Sequence, residues 1–105
     1  FEFRDESWWI DEVYDCLKEH NAAFCIFELE KTKSPREITA DFAYIRLHGP
    51  GLKYEGKYDK KTLAGWCGAF EAWRERGKDI YMYFDNDQDG YAAQNARELQ
   101  DMVYG

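Results

Sequence analysis

The side chains best suited to chemistry in this sequence are charged or titratable groups that stand near the ends of short extended segments. They are Glu2, Arg4, Arg46, His48, Asp85 and Asp87. Carboxylates and an imidazole can transfer protons or bind a metal ion, whereas a guanidinium offers paired donors that match two oxygens of a carboxylate or phosphate. The pattern therefore predicts a site for a small polar or anionic ligand. The catalytic roles in it are assigned to Glu2, His48 and Asp85, and ligand binding to Arg4, Arg46, Tyr83, Asn86 and Asp87.

A structural interpretation of the same residues stands beside this one. In it, four charged residues form a layer of ion pairs in the protein interior: Glu2, Arg4, Arg46 and Asp85. His48 precedes Gly49 and Pro50, where a turn would expose the imidazole for an acid, base or metal-binding role. The residue types alone leave both interpretations open.

The segment DNDQDG at 85–90 matches the start of a calcium-binding loop, with oxygen ligands at alternate positions and a glycine at the sixth. The twelfth position of that pattern is Ala96, where a bidentate glutamate is needed, so calcium is not favoured. If another divalent metal binds, we expect His48 and a carboxylate of Glu2 or Asp85 to ligate it. Mixed nitrogen and oxygen ligands suit zinc or manganese.

Two loops next to these residues also have predicted roles. Asp85 and Asn86 are expected to face the lumen of a barrel as residues of the site, and Asp89 to cap the helix that follows them. In the glycine-punctuated loop 50–59, Tyr54 and Tyr58 are expected to fold over a ligand, because long loops after strands act as lids. The alternative is an ordinary surface loop.

Hydrophobic periodicity divides the chain into alternating extended and helical segments. Extended segments are predicted at 1–4, 22–28, 42–49 and 78–84. Helices are predicted from a cap at Ser7 to Asn21, from a cap at Asp59 to Gly77, and over 91–104. The charged stretch 28–41 is predicted to be a loop. Such alternation implies a parallel sheet whose connections lie on one side.

One face of this predicted sheet is polar. It carries Glu2, Arg4, Tyr44, Arg46, His48, Tyr81, Tyr83 and Asp85. In a doubly wound sheet both faces of the central strands are covered by helices and should be apolar. A closed barrel fits better, because its lumen takes polar layers near the top while helices cover the outside. Four strands cannot close such a barrel.

Several motifs, in order along the chain, carry a family resemblance. They are EFR followed by SWW, then YIRLHG, YEGKY, YMYFDND and GYAAQNA. Over nearly the whole chain this series resembles the carboxy-terminal part of the DUF72 proteins, also called the YecE-like family. The resemblance implies a single-domain (β/α)8 barrel of roughly twice this length or more, with EFR near the fifth strand. The HG and YFDND motifs would lie on the last two strands.

The fold class implied by the resemblance is α/β, as the carboxy-terminal part of a TIM-like barrel with about four parallel strands and their helices. Residues 1–105 would then form a single domain that lacks the amino-terminal half of the barrel. The inner face of the sheet would meet either that half or a second copy of this chain.

Two functions follow, and the resemblance itself selects neither. In the first, the intact protein is an enzyme, such as a hydrolase or lyase acting on a small polar or anionic compound. In the second, the same pocket binds a small ligand without catalysis. Titratable residues of both signs favour catalysis, because acid and base roles need environments that separate pKa values. No serine-nucleophile motif, P-loop or dinucleotide fingerprint is present in the sequence.

Bulk composition narrows the classes of partner. The chain has 105 residues, of which 45% are hydrophobic, so it is expected to form at most one globular domain. A net charge of −7 disfavours nucleic acid and anionic membranes. Three widely spaced cysteines, Cys16, Cys25 and Cys67, predict buried, inert thiols rather than disulfides or a metal motif. The sequence contains no membrane-spanning apolar run or leader, so a cytoplasmic location is expected.

Overall fold

The structure is a computed structural model that describes residues 1–51 and 55–105. Its helices in these ranges are α1 (Asp11–Glu19), α2 (Lys60–Glu75) and α3 (Tyr91–Tyr104). Its strands there are β1 (Cys25–Leu29), β2 (Thr32–Lys33), β3 (Phe42–Leu47) and β4 (Asp79–Phe84). Short 3-10 helices cover Glu6–Trp8 and Gln88–Gly90.

The strands form one sheet in the order β2-β1-β3-β4. β1 and β3 are parallel, with Cys25 beside Tyr44, and β3 and β4 are parallel, with Tyr44 beside Tyr81. Only the two-residue strand β2 pairs antiparallel within the described sheet. The carboxyl ends of β1, β3 and β4 therefore share one edge of the sheet. The predicted α/β class with a largely parallel sheet is confirmed.

The segment 1–4 differs from its prediction, because it contains no assigned strand. Phe1 nevertheless lies beside β1. Its backbone nitrogen donates to the Ala23 carbonyl at 2.9 Å, and its carbonyl accepts from the Cys25 backbone at 2.8 Å. A residue bonded to positions two apart on its neighbour has the geometry of parallel pairing. Phe1 thus extends the sheet by one residue, which suffices to bring Glu2 beside β1.

The stretch 28–41, predicted to be a loop, contains β2. The chain reverses at Glu30, which has a φ of 56°, and Lys33 then pairs with Glu28. The prediction was wrong at this point because period-two patterning is unreadable in a strand of two residues. Further along the stretch, the Arg36 guanidinium lies 3.9 Å from the centre of the Trp66 ring system on α2.

The main core lies between the outer face of the sheet and the helices. β3 alternates as predicted, with Ala43, Ile45 and Leu47 buried and the residues between them half-buried. α2 buries an apolar stripe of Leu63, Trp66, Phe70 and Trp73, whereas Cys67 is half-buried. Further core side chains come from the other helices and β1: Tyr14, Leu17, Phe24, Ile26 and Leu99. Alternate residues of the strands thus pack against residues three or four positions apart on the helices.

The inner face of the sheet changes character along its strands. At the amino ends, Phe42 packs against Tyr81, with ring centres 5.8 Å apart. One layer further, Tyr44 packs against Tyr83 at 5.3 Å. Arg46 and Asp85 form the layer at the carboxyl ends. This succession of aromatic layers under a charged layer is typical of the inside of a TIM barrel, where ligands bind at the carboxyl ends of the strands.

The helix ends test several local predictions. The Asp59 carboxylate caps α2 by accepting from the Thr62 backbone at 2.8 Å, as predicted. Asn21, just beyond α1, has the predicted left-handed conformation with a φ of 49°, and Gly77 follows α2 with a φ of 75°. Among the described residues, no helix is long and apolar enough to cross a membrane.

Two predicted caps are wrong. Ser7 does not begin a long helix: Asp5 caps a short 3-10 helix by accepting from the Ser7 backbone at 2.9 Å, and α1 starts only at Asp11. Asp89 does not cap α3, since Gly90 occupies the cap position with a φ of 75°. In both places a second short helix precedes the long one, and the cap preference of a single residue does not reveal that.

Candidate functional site

The charged residues singled out from the sequence meet at the carboxyl edge of the sheet. Arg46 lies at the end of β3, His48 follows that strand, and Asp85 follows β4. Glu2 and Arg4 reach the same place from the segment beside β1. We call these five residues the polar layer. The parallel topology gathers them because strands that run in the same direction end at the same edge.

The closest contact in the polar layer joins Arg46 to Asp85. Both the Nη2 and Nε atoms of Arg46 donate to Oδ2 of Asp85, at 2.6 and 3.1 Å. The pKa of Arg46 is raised chiefly by this hydrogen bonding to Asp85, and burial opposes the shift. Within the described residues the carboxylate contacts Arg46 and His48 through Oδ2, and Oδ1 makes no hydrogen bond.

Glu2 is the hub of the layer. Its Oε2 accepts from Nε of Arg4 at 2.7 Å, while Oε1 lies 3.1 Å from Nε2 of His48 and 3.5 Å from Nη1 of Arg46. Burial would raise the pKa of Glu2, but hydrogen bonds and charge from Arg4 and His48 together bring that pKa below its ordinary value. Glu2 is therefore an anionic anchor whose two oxygens are already engaged.

His48 is the innermost member of the layer. Its side chain is 0% exposed, with Nε2 near Glu2 and Nδ1 3.6 Å from Oδ2 of Asp85. The ring also packs edge-on against Phe27 at 6.5 Å. The prediction that a turn exposes this imidazole was wrong, because Glu2 lies against Nε2 and Phe27 against the ring. His48 therefore reaches a ligand only through the two carboxylates that it positions.

The other members of the layer are graded in exposure. The side chain of Glu2 is 12% exposed, Asp85 28%, Arg46 34% and Arg4 44%. The side chains of Arg4, Arg46 and Asp85 are therefore the more accessible members of the layer. Glu2 and His48 form the floor beneath them.

The remaining predicted ligand-binding residues lie outside this cluster. Asn86 is fully buried, and its amide nitrogen donates to the Gly56 carbonyl and to Asn95, each at 2.9 Å. Asp87 is exposed beyond the end of β4. Tyr83 stands one layer below Asp85 and is 49% exposed. Of the three, the geometry brings only Tyr83 next to the polar layer.

The predicted lid tyrosines have different outcomes. Tyr58 is 2% exposed, and its hydroxyl oxygen accepts from the Gly49 backbone at 2.9 Å, so it supports the loop from below instead of folding over a ligand. Burial raises the pKa of this phenol. Tyr54 lies outside the described residues. Elsewhere in this region, the Trp9 ring packs against Phe27, with ring centres 6.3 Å apart.

Sequence reasoning missed one residue at the floor of the layer. Cys25 is buried, and its Sγ lies 3.6 Å from Oε1 of Glu2. The expectation of buried thiols holds for Cys25 but was wrong for Cys16, which is exposed, and for Cys67, which is half-buried. Period-two alternation in β1, which places Cys25 and Phe27 on the inner face, was the available signal.

The Cys25 thiol should be unreactive in the folded protein. Burial and the neighbouring Glu2 raise its pKa to about 12, which leaves less than about a thousandth of the thiolate of a free cysteine. We expect iodoacetamide to label Cys25 at least about 1,000-fold more slowly in the native than in the urea-unfolded protein. Peptide mass spectrometry measures both rates, and similar rates would show that the floor of the layer is open.

A metal site in a protein requires several histidine, cysteine, aspartate or glutamate side chains close together. Within residues 1–51 and 55–105, no group of three or more histidine, cysteine, aspartate or glutamate side chains is arranged to hold a metal ion. The predicted ligands Glu2, His48 and Asp85 do lie together, but Arg46 contacts both carboxylates.

The class of protein that the fold and the site define is a mixed α/β chain with a largely parallel four-stranded sheet and a charged layer at the carboxyl ends of its strands. The family model described as "Protein of unknown function DUF72" matches residues 1–105. The chain therefore belongs to the DUF72 family. No curated protein matches it.

Solved structures agree with this membership. A DUF72 family protein from Thermotoga maritima MSB8 is 27% identical, with a TM-score of 0.86 over 98% of this chain and 45% of that chain. A DUF72 family protein from Enterococcus faecalis V583 is 19% identical, with a TM-score of 0.85 over 99% of this chain and 46% of that one, and shows the fold alone. The chain thus spans a little under half the length of these structures. The predicted relationship to part of a TIM-like barrel is confirmed.

Proposed function

We propose that the polar layer is one side of a binding site for a small anionic compound, and that the intact protein acts on that compound as a hydrolase or lyase. The observation that carries the proposal is the grading of exposure in the layer. The side chains of Arg4 and Arg46 are the most exposed members of the layer, whereas Glu2 is largely buried and His48 is completely buried. In barrels of this type, the carboxyl ends of the strands are where catalytic residues lie.

The two arginines supply the anion-binding groups. Arg4 contacts Glu2 through Nε, and within the described residues its terminal nitrogens make no hydrogen bond to another side chain, so we expect them to be available to an anion. Arg46 is held in one orientation by Asp85 and Glu2. A planar guanidinium fixed in this way binds two oxygens of a carboxylate or phosphate with little loss of side-chain freedom.

Asp85 is the candidate general base. Its Oδ2 is fixed by Arg46, and Oδ1 is free within the described residues to accept a proton from a ligand hydroxyl or a water molecule next to the bound anion. His48 and Glu2 act beneath it as positioning residues. This division of roles differs from the sequence prediction, in which Glu2, His48 and Asp85 shared the proton transfers.

Binding without catalysis is the second candidate, and charge balance is the observation that favours it. Two arginines face two carboxylates, and both oxygens of Glu2 are already bonded. A layer that is neutral in itself can recognise a ligand without a group poised for proton transfer. Substitution of Asp85 separates the two functions.

The test uses the intact protein and inorganic phosphate or sulfate as probes. We expect Arg46→Ala to weaken the affinity for the anion at least about tenfold by calorimetry, since one charged hydrogen-bond partner contributes about 1.5–3 kcal/mol. Arg97→Ala, on the exposed surface of α3, is the matched control and should leave the affinity unchanged. Unchanged affinity in a folded Arg46→Ala variant would refute the anion site.

The catalytic part of the proposal has its own arm. Asp85→Asn should keep or improve the affinity for phosphate, because it removes a negative charge next to the anion. If the protein hydrolyses p-nitrophenyl phosphate or p-nitrophenyl acetate, the same variant should lower kcat at least about 100-fold. Activity that survives Asp85→Asn would leave the binding role and exclude Asp85 as the base.

A further inference from the structure

A buried amide on α3 ties together the two loops that follow β3 and β4. Asn95 is 0% exposed. Its Oδ1 accepts from the Tyr58 backbone at 3.0 Å, and its Nδ2 donates to the Tyr58 carbonyl at 2.9 Å. The side chain therefore satisfies one residue of the loop backbone as a neighbouring strand would.

Asn86 joins the second loop to this contact. Its Nδ2 donates both to Oδ1 of Asn95 and to the Gly56 carbonyl, each at 2.9 Å. The arrangement leaves the buried Oδ1 of Asn86 without a hydrogen-bond partner in the described residues. A buried acceptor without a partner is unfavourable, so the orientation of Asn86 is set by its two donor contacts.

The same loop is held at its start. Gly49, directly after His48, donates from its backbone to the Tyr58 hydroxyl at 2.9 Å. It has a φ of 129°, and a Cβ at this position would lie 2.5 Å from the Glu55 carbonyl oxygen, so only glycine fits. The Tyr58 ring packs against Phe84 at 5.9 Å. Both described ends of the loop are thereby fixed to the end of β4.

We propose that Asn95 is a positioning residue for the polar layer, acting through Asn86 on Asp85. Asp85 lies between Phe84, which packs on Tyr58, and Asn86, which is bonded to Asn95. Its own backbone nitrogen donates to the Leu47 carbonyl at 2.8 Å. Three successive residues are thus held from different sides, which places the Asp85 carboxylate against Arg46.

The choice of residue type supports this role. Position 95 lies on the inward face of α3, where Leu99 one turn later is buried in the core. Asparagine is a poor helix former, and a buried amide is unfavourable unless its hydrogen bonds are made. An apolar residue would suffice for packing alone. The free-energy cost of burying the asparagine is offset if its amide holds the loop through hydrogen bonds.

Hydrogen exchange in the intact protein tests the inference. We expect Asn95→Ala to accelerate hydrogen exchange of the Tyr58 amide at least about 30-fold relative to the amides of β3. Without the Asn95 hydrogen bonds, the Tyr58 amide should exchange through local opening of its loop, whereas the β3 amides still require global unfolding. The resonance of the Arg46 Nε–H should also shift, since its acceptor on Asp85 moves. Gln94→Ala, on the exposed neighbouring position, is the matched control and should change neither.

If Asn95→Ala does not fold, Asn86→Ala is the second variant, and it removes two of the four hydrogen bonds. Uniform acceleration of all amides, or a fast Tyr58 amide with an unchanged Arg46 resonance, would overturn the inference.

The inference rests on the proposed function only in treating the polar layer as a ligand site. Failure of phosphate to bind the unmodified protein would count against that function, whereas the exchange and resonance data judge Asn95 independently.

Discussion

Replacing His48 with alanine should lower the free energy of unfolding of the intact protein by about 3 kcal/mol, the scale on which buried polar networks lose stability when one partner is removed. The imidazole is completely buried and lies between Glu2 and Asp85. Its removal leaves a cavity beneath the polar layer, and a carboxylate oxygen of Glu2 loses its partner. Urea denaturation followed by circular dichroism measures the change.

The chain offers a matched control for this experiment. His20, the other histidine, is exposed at the end of α1, so His20→Ala should change stability by less than about 0.5 kcal/mol. A folded His48→Ala variant should also bind phosphate more weakly, because Glu2 and Asp85 lose the group between them. Equal stability of the two variants would show that the imidazole does not hold the layer.

The 105 residues expressed alone should self-associate rather than remain a rigid monomer. In the described sheet β4 pairs only with β3, so its outer edge presents unpaired backbone groups. Tyr81 and Tyr83 on the inner face are each 49% exposed, and Phe1 and Trp8 are exposed near the other edge. Exposed aromatic surface of this kind promotes association. Sedimentation velocity measures the distribution of species.

Substitutions on the inner face provide the control. Tyr81→Lys combined with Tyr83→Lys should reduce association, because charge on an exposed sheet face opposes edge and face pairing. Lys60→Ala, on the exposed first turn of α2, should not. A monodisperse monomer with one cooperative unfolding transition would contradict the expectation and indicate that these residues form a complete fold.

Features that depend on short-range patterning could be predicted from the sequence. The alternation of Ile45 and Leu47 with Arg46 determines which face of β3 meets the helices, and it requires only period two. The meeting of Arg46 and Asp85, 39 residues apart, followed from parallel topology alone. The cap at Asp59 followed from the preference of one residue type.

Features that depend on distant partners could not be predicted. His48 is buried because Glu2, 46 positions earlier, lies over its ring nitrogen. Asn95 looks like a polar surface residue of a helix, and only its contact with Tyr58, 37 positions away, reveals its role. A polar side chain is buried where it finds a hydrogen-bond partner in the folded protein. When that partner is distant in sequence, the residues around the side chain do not indicate it.

The most direct test of the account is a crystal structure of the intact protein grown with phosphate or sulfate. We predict an anion within hydrogen-bond distance of Arg4 and Arg46, with a water molecule or a protonated oxygen of the anion between it and Oδ1 of Asp85, and with His48 beneath, out of contact. The contradicting result is a layer in which side chains from the rest of the barrel pair with Arg4 and with Oδ1 of Asp85. In that case the charges would form a closed structural layer, and no ligand site would exist there.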